Sequence, residues 1–193
     1  MGELLIVTGP PGAGKSTVAR LLSAAFPRSV LVQGDAFFAF LDRGAIPPWQ
    51  PGSEAQNDVT IEAAALAAGR FARADYTVVF DGMIGPWYVE RFARTAAAPD
   101  VHYAILLPDE QTCVERVATR AGHGFTDEAA TKEMHRQFVA APVEPRHVLA
   151  PPPDEPARTA EQIQARLARG ELRFTPPTAA PGRRRRPSTV PAG

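Results

Sequence analysis

A chain of 193 residues with 45% hydrophobic and 22% charged residues has enough apolar material for one domain with a core, which excludes global disorder. No run approaches the roughly 18 to 20 apolar residues of a membrane span, and the N-terminus lacks the basic, apolar and small-residue order of a secretory leader. The single cysteine, Cys113, excludes an intrachain disulfide framework and a cysteine-rich zinc site, so a cytoplasmic setting is expected. The net charge of zero divides unevenly. The 21 basic residues include Arg183 to Arg186, and residues 175–193 hold no acid, so residues 1–174 carry 17 bases against 21 acids, a net of −4. That balance disfavours a generally basic nucleic-acid-binding domain.

Residues 3–8, ELLIVT, form an apolar run that stops at Gly9-Pro10-Pro11-Gly12, the pattern of a strand buried on both faces. From Gly14 the pattern turns helical, with Val18, Leu21, Leu22 and Ala25 on one side, and ends before Pro27. A second strand, Val30 to Gln33, leads to Gly34-Asp35. The aromatic, proline-rich stretch 36–52 is predicted to hold one short helix and a loop. Residues 53–73 read as a long alanine-rich helix capped by Ser53. Tyr76 to Phe80 is a third strand, closed by Asp81-Gly82, and Pro86 is expected to start a helix carrying Trp87, Tyr88 and Phe92. Val101 to Leu107 is a fourth strand. Asp109 suits the cap of a helix to about Arg120, and Thr126 the cap of another to about Ala140. A weak fifth strand near His147 to Leu149 and a helix over about Thr159 to Arg169 complete the series.

Strands alternating with helices predict an α/β protein: a parallel sheet covered on both faces and joined by right-handed crossovers. Residues 1–174 are expected to be one domain. Residues 175–193, with five prolines, small polar residues and the arginine run, cannot bury a core and are predicted to be a disordered tail.

Gly9-Pro10-Pro11-Gly12-Ala13-Gly14-Lys15-Ser16, followed by Thr17, is a complete GxxxxGK[ST] phosphate-binding loop between a buried strand and a helix. Its glycines let backbone N–H groups turn toward phosphates, and the helix N-terminus adds a positive dipole end. Lys15 can bridge the β- and γ-phosphates of ATP, and the Ser16 hydroxyl can hold Mg²⁺. Only two of the 21 basic residues are lysines, Lys15 and Lys132, which suggests that a compact ammonium matters at position 15. A guanine-reading Asn-Lys-x-Asp segment is absent, which argues against a GTPase. The chain length leaves room for a nucleotide core, a small acceptor site and a lid.

On GPPGAGKST at 9–17, Asp35 after the second strand, Asp81 after the third and the pair Arg116 and Arg120, the sequence resembles the small P-loop kinases related to nucleoside-monophosphate kinases. Within them it is most similar to the chloramphenicol phosphotransferase, gluconate kinase and zeta-toxin neighbourhood. The resemblance covers roughly residues 3–170. It implies a three-layer P-loop NTPase fold with a five-stranded parallel sheet ordered 2-3-1-4-5, and a short lid at about residues 120–127. It also implies an Asp after the second strand as the base, a role that falls on Asp35. Asp81 would hold Mg²⁺ beside Ser16 or contact the acceptor, and the sequence leaves open an exchange of roles between the two aspartates. Arg116 and Arg120, four apart on one helix face, are the lid arginines expected to neutralise charge on the transferred phosphoryl group; Arg136 is a third candidate.

Residues 34–60 hold one arginine, Arg43, among Phe37, Phe38, Phe40 and Trp49. Such a wall suits a partly apolar or ring-bearing acceptor rather than a nucleoside monophosphate. Phe38, Trp49 and Trp87 are the candidate acceptor contacts, with Gln56 and Asp58 as weaker ones; Phe37, Phe40 and Phe92 read as core. The expected activity is transfer of the ATP γ-phosphate to a hydroxyl of a small molecule, an antibiotic or a sugar-like metabolite. The alternatives are a nucleotide or polynucleotide kinase, and a non-catalytic nucleotide-dependent switch. A small-molecule acceptor is the expected partner, not nucleic acid or membrane.

Overall fold

The computed structural model describes residues 2–119, 125–151 and 155–176. Its centre is a five-stranded sheet ordered β2-β3-β1-β4-β5, built from β1 (Glu3–Thr8), β2 (Ser29–Gln33), β3 (Thr77–Asp81), β4 (Val101–Leu106) and β5 (Val148–Leu149). Every pairing among these strands is parallel, so the sheet order and direction implied by the resemblance hold.

Side chains alternate across a strand, and β1 fills both faces with them. Leu4 and Ile6 join the core under α3 (Glu54–Ala72) and α4 (Val89–Ala96). Leu5 and Val7 join the core under α1 (Lys15–Ala25) and α7 (Pro156–Ala168). Tyr103 and Ile105 of β4 face the first layer and Ala104 and Leu106 the second. α2 (Gly34–Phe38) follows β2, and α5 (Glu110–Thr119) and α6 (Glu128–Ala140) pack together beyond β4. No helix among the described residues is long and apolar enough to cross a membrane.

Four local expectations shift. Pro86 lies in a turn, and α4 begins only at Val89, because the Tyr88 and Val89 amides both donate to the Gly85 carbonyl. Ser53 sits at the start of α3 without capping it; its hydroxyl donates to the Pro48 carbonyl at 2.9 Å. Asp127, not Thr126, caps α6, accepting from the Ala130 amide at 2.9 Å. α7 begins at Pro156, whose ring fixes a helical φ in the first turn, three residues before the predicted start. Asp109 does cap α5, accepting from the Thr112 amide and hydroxyl at 2.8 and 2.7 Å.

After α7 the chain returns to the sheet. The Tyr103 amide donates to Leu172 O and the Phe174 amide to Val101 O, an antiparallel bridge along the lower half of β4. Leu172 is buried, and Phe174 packs edge-on to Tyr103 and against His147. Of the predicted disordered tail, residues 175–193, all but 175 and 176 lie outside the described residues.

Candidate functional site

Parallel register assembles the site. Val7 of β1 and Gln33 of β2 both sit opposite Asp81 of β3. Two residues beyond Val7 the phosphate-binding loop opens at Gly9, and two residues beyond Gln33 comes Asp35. Loop and both aspartates therefore meet at the C-terminal rim of the sheet, where doubly wound folds bind ligands.

The loop turns through left-handed φ at Gly12 (+79°) and Gly14 (+89°). At Gly12 a Cβ would stand 2.2 Å from the Cys113 carbonyl of α5, so only glycine allows both this φ and this approach. Lys15 curls over the loop and its ammonium donates to Pro10 O at 2.9 Å. Arg116 reaches back from α5, its Nη1 donating to Gly12 O at 3.3 Å. Together they border a cavity of about 320 Å³ running from Gly12 to Val18 and on to Arg116, Thr119, Pro151, Glu155 and Thr159.

Asp81 is 7% exposed. Burial raises its carboxyl above the ordinary value of 3.8; a hydrogen bond with the Ser16 side chain and the Lys15 charge oppose this, while the nearby Asp35 charge adds to it. A hydroxyl hydrogen-bonded to a buried carboxylate beside phosphate-facing N–H groups is a hard-oxygen donor set that fits Mg²⁺, and the glycine cradle fits a nucleotide's phosphates. Asp35 is exposed in the first turn of α2.

Phe38 ends α2 half-buried. Trp49 is 44% exposed and meets Phe125 edge-on, ring centres 4.7 Å apart. Trp87, 56% exposed, folds over Gly85 and meets Phe138 of α6 at 5.3 Å. Phe92 is core and Phe37 is half-buried against it, whereas Phe40 is 75% exposed, against the expectation of core packing, because α2 ends before it. Gln56 is a clamp: its side chain takes both the N–H and the C=O of Ile46, at 2.8 and 2.7 Å. Arg136 is paired with Glu133 on its own helix. Arg120 and most of the predicted lid lie outside the described residues.

Several contributors had no motif to reveal them. The Ile84 amide donates to the buried Thr8 hydroxyl at 2.9 Å, and Tyr103 OH donates to Ile84 O at 2.7 Å. These two bonds fix the loop that carries Trp87. Pro151, Glu155 and Thr159 belong to the rim because they follow β5; that position was the one available signal.

This fold and loop define a P-loop nucleotide-binding protein. The chain belongs to the AAA domain family, whose profile matches residues 4–145. No curated protein sequence matches it. Among solved structures it is similar to a sugar kinase from a Janibacter species, with 20% identity, TM-score 0.66, and 87% of this chain and 95% of that chain covered. It is also similar to the tunicamycin resistance protein of Deinococcus radiodurans, with 16% identity, TM-score 0.65, and coverage of 86% and 96%. A chain of an RNA repair complex matches at 22% identity and TM-score 0.57 over 72% of this chain, which spans only 44% of that one. The resemblance to small P-loop kinases thus holds at the level of the fold.

Proposed function

We propose that the protein is an ATP-dependent phosphotransferase that moves the γ-phosphoryl group to a hydroxyl of a small molecule, an antibiotic or a sugar-like metabolite. The observation that carries this reading is the pair of aspartates at the rim beside the loop. Asp81 is stabilised by the Ser16 side chain and feels the charge of Asp35, which is exposed in the first turn of α2. The bond between the γ-phosphorus and the bridging oxygen breaks as the acceptor oxygen bonds to phosphorus, ADP leaves, and Asp35 takes the acceptor's proton. Lys15 and Arg116 neutralise phosphate charge, while Ser16 and Asp81 would hold Mg²⁺, which screens the phosphates when bound. The half-buried Phe38 and the exposed rings of Trp49 and Trp87 support an acceptor held by packing plus a few polar contacts. The sugar kinase and the tunicamycin resistance protein, similar over most of their length, support the same class.

The test is ADP release from Mg·ATP across sugars, antibiotics and nucleoside monophosphates, with mass spectrometry for the phosphorylated product. Asp35→Asn should keep ATP affinity and lose at least about 100-fold in transfer. Undiminished transfer in that variant would move the base to Asp81.

A further inference from the structure

Between α2 and α3 the chain runs through residues 39–53 without helix or strand, a length at which a connection is either tied down or mobile. This one is tied down around Trp49. The Gln50 amide donates to Pro47 O at 2.9 Å and closes a turn with Trp49 inside it, and Pro48 takes the turn position that proline favours.

α3 then grips the backbone ahead of Trp49 at two points. Pro48 O accepts from Ser53 Oγ at 2.9 Å and from Asn57 Nδ2 at 2.7 Å. Two residues earlier, Gln56 Nε2 donates to Ile46 O at 2.7 Å while its Oε1 accepts from the Ile46 amide at 2.8 Å. The amide group of Gln56 is thus spent on the loop, not presented as the acceptor contact that the sequence suggested. The turn of α3 that carries this grip is itself anchored: Asp58 accepts from the Tyr88 hydroxyl at 2.8 Å and from Arg91 Nη1 at 2.7 Å, which ties it to the start of α4.

The ring held in this way joins the two flanks of the rim. Trp49 meets Phe125 with 4.7 Å between ring centres. The Trp49 segment follows β2 and α2, whereas Phe125 follows β4 and α5. In the sheet order the ends of β3 and β1, which carry Asp81 and the phosphate-binding loop, lie between those two strands.

We propose that Gln56 and Asn57 are positioning residues that hold Trp49 in its working place before the acceptor arrives, so that the acceptor meets a wall already built. This assignment rests on the kinase reading above and deepens it. A wall ordered in advance spares the acceptor the cost of ordering it, so loss of the grip appears as weaker acceptor binding. ATP is spared, because the cavity beside the phosphate-binding loop is lined by neither residue.

Gln56→Leu keeps the bulk and removes both bonds to Ile46, and Asn57→Ala removes one of the two bonds to Pro48 O. The full-length variants are assayed with Mg·ATP and each sugar or antibiotic of the panel above, acceptor and ATP varied separately. Each variant should raise the acceptor KM about tenfold, with the KM for ATP and kcat at saturating acceptor within about twofold of wild type. In a Trp87→Phe background, where Trp49 is the sole indole, each should shift the emission to the red and increase its quenching by acrylamide. If Gln56→Leu does not fold, Asn57→Ala decides alone. An unchanged acceptor KM beside shifted emission overturns the positioning role and leaves the kinase reading standing, and so does unshifted emission. A loss of kcat in which both KM values and the melting temperature move together marks a merely structural role and overturns it as well. No phosphorylated product from any compound, with ATP bound, overturns the kinase reading and the proposal with it.

Discussion

Asp81 is the residue on which stability and function pull hardest in opposite directions. Burial disfavours its charge, yet a carboxylate beside Ser16 is useful to a nucleotide-bound cation only when ionised. A folded-state pKa above the unfolded one means that the group's contribution to stability is complete below about 3.8 and is lost as pH rises through the folded value. Asp81→Asn removes that loss. Its melting temperature in the absence of nucleotide should therefore equal or exceed that of the wild type at pH 8, with the difference closing toward pH 4. Mg²⁺-dependent transfer in the same variant should fall at least about 100-fold. Tyr103 is a quieter case. Tyr103→Phe strands the buried Ile84 carbonyl, costing about 1–3 kcal/mol in chemical denaturation, and should raise the KM for the acceptor through the loop that holds Trp87.

At the scale of elements, close approach decides more than propensity. α3 and α4 cross at Gly69, where a Cβ would fall 1.7 Å from Ala96 O, so the helices touch backbone to backbone. Gly69→Val should separate them and lower stability by about 1–3 kcal/mol or more, measured by urea unfolding. The alanine-rich sequence announced a helix but not this contact, because the partner lies outside any local window. The same distinction separates what was legible at the site from what was not. Lys15, Ser16, Asp35 and Asp81 could be read from the sequence because each follows a strand end or sits in a contiguous motif, and Arg116 because its spacing from Arg120 and the family resemblance marked it. Asp58, Tyr88 and Arg91 could not be read as one network, since their meeting depends on how α3 and α4 pack. The start of α4 escaped for a related reason: the turn at Gly85 is held by the Trp87 ring lying over it, a contact that overrides the helix-starting preference of Pro86.

For the molecule as a whole, alternating strands and helices were enough to give a parallel sheet covered on both faces, because strands buried on both sides show as unbroken apolar runs. The return of the chain to β4 was not legible, since a bridge at residues 172–174 carries no strand signature. It nevertheless closes one edge of the core. Ending the chain after Pro176 should leave the melting temperature unchanged, whereas ending it after Gly170 removes Leu172 and Phe174. That shorter form should melt several degrees lower, as expected for losing a buried leucine and an aromatic contact. A large destabilisation in the longer form would show that the arginine-rich end belongs to the folded body.

The sole thiol gives the loop a built-in clock. Cys113 is fully buried, its backbone is pressed against Gly12, and burial pushes its thiol up to about 11. Alkylation therefore has to wait for α5 and the phosphate-binding loop to part, and its rate counts those openings rather than the reactivity of the sulfur. A ligand that staples the loop to Arg116 should slow the labelling in proportion to its occupancy, a readout that requires no turnover.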